Sequence, residues 1–269
     1  MTSDPHLSDE IDEAIDWQGE PVDCESCSHI DLRNAGKCQP LRACVFDRYA
    51  RRIDRFFDWN PELGSQYVKH PYFEVRACSA KTAELFLLPA LLEDLEEAVR
   101  WSAARRLPKR YLLKLRQDSH REVRIRVAQR LDAEDLPAMM FDDDYAVRQI
   151  VARRVAAPLL TGMICDPDVE VRRVVAQRIP LSGLTAMAGD DDAAVRVEAA
   201  QRLDPASLVA LVGDPDWRVR YEVARRALAP AMKKLAEDPD PVVRETARER
   251  QPGEAARGTL SITAAEENR

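Results

Sequence analysis

Valine followed by arginine recurs at one interval along this chain: Val75-Arg76, Val99-Arg100, Val123-Arg124, Val147-Arg148, Val171-Arg172, Val195-Arg196, Val219-Arg220 and Val243-Arg244, each pair 24 residues after the last. Eight occurrences without an insertion or deletion are not chance. A fixed period of this size marks a solenoid, in which each unit stacks on its neighbours. A lone unit buries too little apolar surface to offset the entropy of ordering its backbone, so neighbour contacts must supply the difference.

Within the period, an Asp falls at 94, 118, 142, 166, 190, 214 and 238, and an Ala at 80, 104, 128, 152, 176, 200 and 224. An Arg falls at 106, 130, 154, 178, 202, 226 and 250. Pro follows the Asp at 167, 215 and 239, and an acid comes next at Asp144, Asp168, Asp192, Asp216 and Asp240. This reads as an N-cap Asp, Pro in the first helical position and negative charge in the first turn. The Arg column and the prolines just beyond it mark the helix end, which leaves about 12 helical residues, or ~18 Å. Apolar residues then fall three apart, as in Leu136 and Met139 or Leu184 and Met187. That spacing predicts a short 3₁₀ segment, with a β-strand as the alternative. Only 9 glycines among 269 residues also suit an all-α chain.

The arginine of each Val-Arg pair lies inside the apolar stripe: with Val at 0° and the Ala column at ~140°, it falls at ~100°. A solvent-facing residue would not sit there. The expected role is a guanidinium reaching through the stack to caps, carbonyls or the recurrent Asp, forming a ladder. The competing readings are a packed stem with its head in water, or a ligand-binding arginine.

Ahead of the array, Cys24, Cys27, Cys38 and Cys44 crowd together, while Cys78 and Cys165 lie in separate repeats and read as buried small hydrophobes. Four thiolates suit a [4Fe-4S] cluster or Zn²⁺, and unligated structural cysteines are the third reading. Only the first pair is a CxxC knuckle, so zinc is not the obvious occupant. Arg33, Lys37, Arg42 and Arg48 surround the thiols, and Pro40 reads as opening a helix that contains Cys44. That helix would place Phe46, Tyr49, Ile53, Phe56 and Phe57 on one face, shielding the site and capping the first repeat, and end at Trp59-Asn60-Pro61. His29 reads as a surface residue or one behind the ligands, with ligation as the alternative.

No nucleophile–base pair, phosphate loop or HExxH motif is visible, so the chain reads as non-enzymatic. The N-terminus lacks a basic leader and an apolar core, and no 18 apolar residues run together, so a cytoplasmic protein without a membrane segment is expected. A net charge of -7 disfavours a dedicated nucleic-acid binder without excluding a local basic face.

The gap-free 24-residue array behind this four-cysteine module resembles the leucine-rich repeat variant iron–sulfur proteins of nitrogen-fixing bacteria, over about residues 22 to 250. Thr82, Arg248 and Met232 depart from the columns, all in terminal units. The resemblance implies a right-handed superhelical solenoid alternating α-helix and short 3₁₀ helix, and a [4Fe-4S] cluster on Cys24, Cys27, Cys38 and Cys44, with Zn as the alternative metal. The expected organisation is an acidic leader (1–21), the cluster module (22–69), a solenoid of eight units (70–251) and a mobile tail (252–269). The expected function is a docking scaffold for a protein partner, with a redox-active or structural cluster. The alternatives are a nucleic-acid-binding solenoid using the Arg column at 106 to 250, and an electron carrier in a redox complex linked to nitrogen fixation.

Overall fold

The computed structural model describes residues 13–250. The expected tail and the first twelve residues of the leader lie outside that range. Two compact units divide the chain between Asp135 and Leu136. Among the described residues there is no β-strand, only isolated bridges joining Ile15 to Pro21, Asp16 to Asp47 and Gln39 to Ala43. No helix is long and apolar enough to cross a membrane among those residues.

The second unit shows the repeat most plainly. Helices Tyr145–Arg154, Val169–Arg178, Ala193–Arg202, Trp217–Arg226 and Pro241–Arg250 each span ten residues, about 15 Å, and each ends on the expected Arg. Their start differs from the sequence expectation. The N-cap is not the recurrent Asp but the acid two residues later: Asp144 accepts from the Ala146 and Val147 amides, and Asp168 from those of Glu170 and Val171. Pro167 and Pro215 therefore precede the cap instead of opening the helix. The recurrent Asp sits upstream of the cap, and Asp166 Oδ1 accepts the Asp168 amide at 2.9 Å. Both carboxylates satisfy amides that would otherwise be orphaned near the helix start.

This displacement leaves the recurrent Asp free to meet the arginine of the preceding repeat. Arg148 Nε and Nη2 bind Asp166 Oδ2 and Oδ1 at 2.8 and 2.9 Å, while its Nη1 donates to the Asp142 and Asp143 carbonyls. The same two-pronged pairing joins Arg172 to Asp190, Arg196 to Asp214 and Arg220 to Asp238. In the first unit it joins Arg76 to Asp94 and Arg100 to Asp118. The expected ladder is present, and its rungs bridge consecutive repeats.

The second arginine column, which marks the helix ends, binds main-chain carbonyls of the preceding repeat. Arg178 donates to the Ala152 and Val155 carbonyls, Arg202 to Ala176 and Ile179, and Arg226 to Ala200 and Leu203. In the first unit Arg106 reaches Ala80 and Ala83. Each arginine caps carbonyls at the end of the previous helix, groups that lack an intrahelical partner. The Val and Ala columns beneath are fully buried.

The connectors are 3₁₀ at Leu85–Glu93, Leu113–Gln117, Leu136–Met139, Ala157–Met163 and Ser207–Leu211, as the spacing by three predicts. Two are short α-helices instead, Leu181–Met187 and Ala229–Leu235. Both patterns bury the same two side chains, for example Leu160 with Met163 and Leu184 with Met187. Spacing by three is compatible with either winding over so few residues.

In the first unit, helices Glu97–Arg106 and Arg121–Arg130 follow a shorter first one, Phe73–Ser79. Upstream, helix Ala50–Trp59 leads into a 3₁₀ turn at Pro61–Gln66. Ile53, Phe56 and Phe57 are buried together with Cys38, Val45, Val75 and Cys78, so one core runs from the cysteine module into the first repeat. Gly64 closes that junction: a Cβ there would lie 2.7 Å from the Ala83 amide nitrogen.

Candidate metal centre

The four cysteines arrive on two arms. On the first, Asp23 accepts from the Glu25 and Ser26 amides and the Ser26 hydroxyl, forming a tight turn around Cys24. A one-turn helix, Ile30–Asn34, follows Cys27, and Gly36 ends it at φ 71°. The His29 amide donates to Cys27 Sγ at 3.4 Å.

The second arm is a tight loop, and here the sequence expectation fails. Pro40 does not open a helix. Gln39 and Ala43 pair across a turn whose tip, Leu41, is left-handed at φ 63°, and the helix begins only at Ala50. Cys44 is thus held by a loop and receives no helix dipole. Helix formation is pre-empted at Asp47, which accepts the Tyr49 amide at 2.9 Å and a guanidinium nitrogen of Arg52 at 2.9 Å. Phe46 and Tyr49 consequently precede the helix on which they were expected. Hydrogen bonds fix the loop to that helix and its end, among them one from Arg55 to the Arg42 carbonyl at 3.1 Å. The Cys44 amide donates to the Arg52 carbonyl at 3.1 Å, and Asn60 Nδ2 donates to the Lys37 carbonyl at 2.8 Å.

All four thiols are free, and the arms bring them within electrostatic range of one another. Cys38 and Cys44 are buried side by side, and their mutual interaction lowers the pKa of Cys38 and raises that of Cys44, where burial adds to the rise. Cys24 is raised by burial, with Arg33 opposing. Of the four nearby cations, Arg33 is the one whose charge favours thiolate at both Cys24 and Cys38. Arg42 instead lies over the Trp59 ring at 5.6 Å.

A roof of rings covers the thiols, and one member was not foreseen. Tyr67 lies beside Cys27, Cys44 and Cys38, and burial foremost pushes its hydroxyl up to about 12. Its hydroxyl hydrogen-bonds His29 Nε2. The His29 ring packs at 5.9 Å from Phe46 and 5.4 Å from Phe56, so it lines the site as expected of a neighbour. Burial holds the His29 pKa below its ordinary value. In sequence, Tyr67 stands beyond the expected helix end, with nothing local to tie it to the cysteines.

The donor set fits an iron–sulfur cluster. Four soft sulfurs from two arms, two of them buried and two partly so, lie near the Arg33 cation and beside the rings of His29 and Tyr67. Among the described residues no three His, Cys, Asp or Glu side chains are gathered to hold a single metal ion. Of the remaining cysteines, Cys78 is buried as expected, but Cys165 is exposed. Cys165 occupies the repeat position of Phe141, which is 76% exposed, and of Gly189 and Gly213, so the column faces solvent.

Residues 14–66 match the family model described as LRV protein FeS4 cluster, which indicates a [4Fe-4S] cluster as the cofactor of this module. A solved structure described as a leucine-rich repeat variant with a novel repetitive protein structural motif is 40% identical to the chain. It superposes with a TM-score of 0.79, covering 84% of this chain and 97% of that one. An uncharacterised 27.7 kDa protein in the nifB 3′ region of Rhodobacter capsulatus is 48% identical over 96 residues. That alignment spans 36% of this chain and only 39% of the relative.

Proposed function

The chain belongs to the leucine-rich repeat variant family, and on that premise we propose that Cys24, Cys27, Cys38 and Cys44 ligate its [4Fe-4S] cluster while the repeats form a docking surface for another protein. The convergence of four free thiols from two chain segments carries the ligand assignment. When bound, such a cluster supplies one-electron chemistry or an inorganic cross-link. The chain's own residues do the rest: the thiolates bind, Arg33 offsets negative charge, and Phe46, Phe56 and Tyr67 limit access of water.

The repeats support a scaffold rather than a catalyst. Their recurrent charged side chains are committed to rungs and helix ends. The same commitment weighs against a nucleic-acid reading, since the arginines at 106, 178, 202 and 226 are bound to backbone carbonyls instead of being free to track phosphates. A low-salt titration with duplex DNA and RNA tests this, and steep salt-dependent affinity would favour the nucleic-acid reading. A cytoplasmic, reducing location fits the free thiols. The genomic setting of the Rhodobacter relative supports a role as electron carrier in a redox complex linked to nitrogen fixation.

Anaerobic purification followed by iron, sulfide and EPR measurement tests the cluster assignment. Four irons and four sulfides per chain are expected, with Cys44→Ser strongly depleted in both. A colourless protein holding one zinc would defeat it. A reversible reduction potential separates the electron carrier from a purely structural cluster.

A further inference from the structure

The first cysteine arm is joined to the body of the protein by few contacts, and one of them is a single side-chain pair. Between residues 23 and 36 the described hydrogen bonds are local: Asp23 to Glu25 and Ser26, and the turns of the Ile30–Asn34 helix. Besides the main-chain bond from the Lys37 amide to the Leu32 carbonyl, which leads into the next arm, the side-chain hydrogen bond that ties this segment to the body is that between His29 Nε2 and the Tyr67 hydroxyl. The ring contacts of the arm with the body also run through His29, to Phe46, Phe56 and Tyr67. Leu32 adds apolar packing alone. The second arm needs no such clasp, because main-chain and Asn60 contacts brace it at both ends.

We infer that His29 and Tyr67 are positioning residues for the cluster, a clasp that sets the distance between the Cys24/Cys27 arm and the Cys38/Cys44 loop. The inference rests on the proposed ligand set. His29 is coupled to a ligand through its own backbone, since its amide donates to Cys27 Sγ. Holding the His29 ring against Tyr67 thus helps to hold the backbone that donates to the sulfur. Tyr67 is fixed independently of the arm, by packing against Phe57 at 5.7 Å and by its carbonyl, which accepts the His70 amide at 3.1 Å. A rigid tyrosine thus anchors an otherwise loosely tethered arm, in the way outer partners orient metal ligands.

The test uses the full-length holoprotein prepared anaerobically. Tyr67→Phe removes the hydroxyl and keeps the ring. It is expected to release iron to EDTA about tenfold faster than wild type, with a shifted reduction potential and altered EPR line shape, while the thermal melt of the helices is unchanged. His29→Gln retains a side-chain nitrogen that can reach Tyr67 and should recover much of the retention lost in His29→Leu. Wild-type release rate and unchanged EPR in Tyr67→Phe would overturn the clasp while leaving the cluster assignment intact. Loss of helix stability in step with iron loss would also overturn it, by showing a general packing role. A wild-type holoprotein without iron and sulfide would overturn the ligand assignment and the clasp together.

Discussion

Arg148 reaches forward eighteen residues to grip Asp166 with two nitrogens, and both residues are less than a tenth exposed. The pair is neither a surface ion pair nor a sealed one: Arg148 keeps a third contact to carbonyls of its own repeat, and Asp166 also holds the Asp168 amide. Repeated along the chain, this geometry makes each repeat's helix entry depend on the one before.

Removing one partner should therefore cost more than at a surface pair, where the effect is below about 1 kcal/mol, and less than at a fully enclosed one, where it is 3–5 kcal/mol. Asp166→Ala is expected to destabilise by ~2 kcal/mol in urea denaturation. A double-mutant cycle with Arg148→Met should give a coupling energy above ~1 kcal/mol. Additive single and double mutants would show that the rung contributes nothing of its own.

Acid should unfold the repeats. Arg220 hydrogen bonds hold Asp238 below its ordinary 3.8. At Asp190 burial pushes upward, but the Arg172 hydrogen bonds and charge with the Asp192 amide outweigh it, leaving a lowered value. A carboxylate with a depressed folded pKa stabilises fully above its unfolded value, and loses that contribution as pH falls through the folded one. Helicity followed by circular dichroism should hold above about pH 4 and decline below it. Asp238→Asn should be less stable at neutral pH and show a shallower decline. A stability that rises on acidification would contradict the sign.

The two array cysteines should react oppositely. Burial pushes the Cys78 thiol up to about 12, whereas Cys165 is exposed. Iodoacetamide applied to the native holoprotein should label Cys165 and spare Cys78 until denaturant is added. Mass spectrometry of the labelled peptides reads the result directly, and early labelling of Cys78 would refute its burial.

Leu41 and Gly64 make a contrasting pair. Leu41 holds φ 63° at an exposed loop tip, a conformation costing an L-residue roughly 1–2 kcal/mol. Leu41→Gly should stabilise by about 0.5 kcal/mol once the greater chain entropy of glycine is offset. Gly64→Ala should destabilise by at least ~1–3 kcal/mol, because its Cβ would collide with the Thr82–Ala83 backbone. Thermal melts of the two variants should move in opposite directions.

Much of the architecture was legible in the chain because a repeat converts long-range contacts into a column pattern. Val75, Val99 and their successors announced the core, and the placement of Arg148 inside an apolar stripe announced that its charge must be met within the stack. The cysteines announced soft-metal chemistry, because residue type alone selects it. The N-cap was misplaced by two residues because Asp166 and Asp168 are equally good caps in isolation. Only the grip of Arg148 assigns them different tasks.

Repeat length, the C-terminal ends of the helices and the presence of a four-thiol module were settled by local periodicity and side-chain chemistry, which act over a few residues and survive in one dimension, and the ladder was one of the readings they left open. The loop conformation of Cys44, the outward-facing Cys165 and the meeting of Tyr67 with His29 required the folded chain. Each is decided by competition between contacts distant in sequence: Asp47 claimed by Arg52 instead of by a helix, and a tyrosine 38 residues from its histidine brought to it by the packing of Phe56 and Phe57.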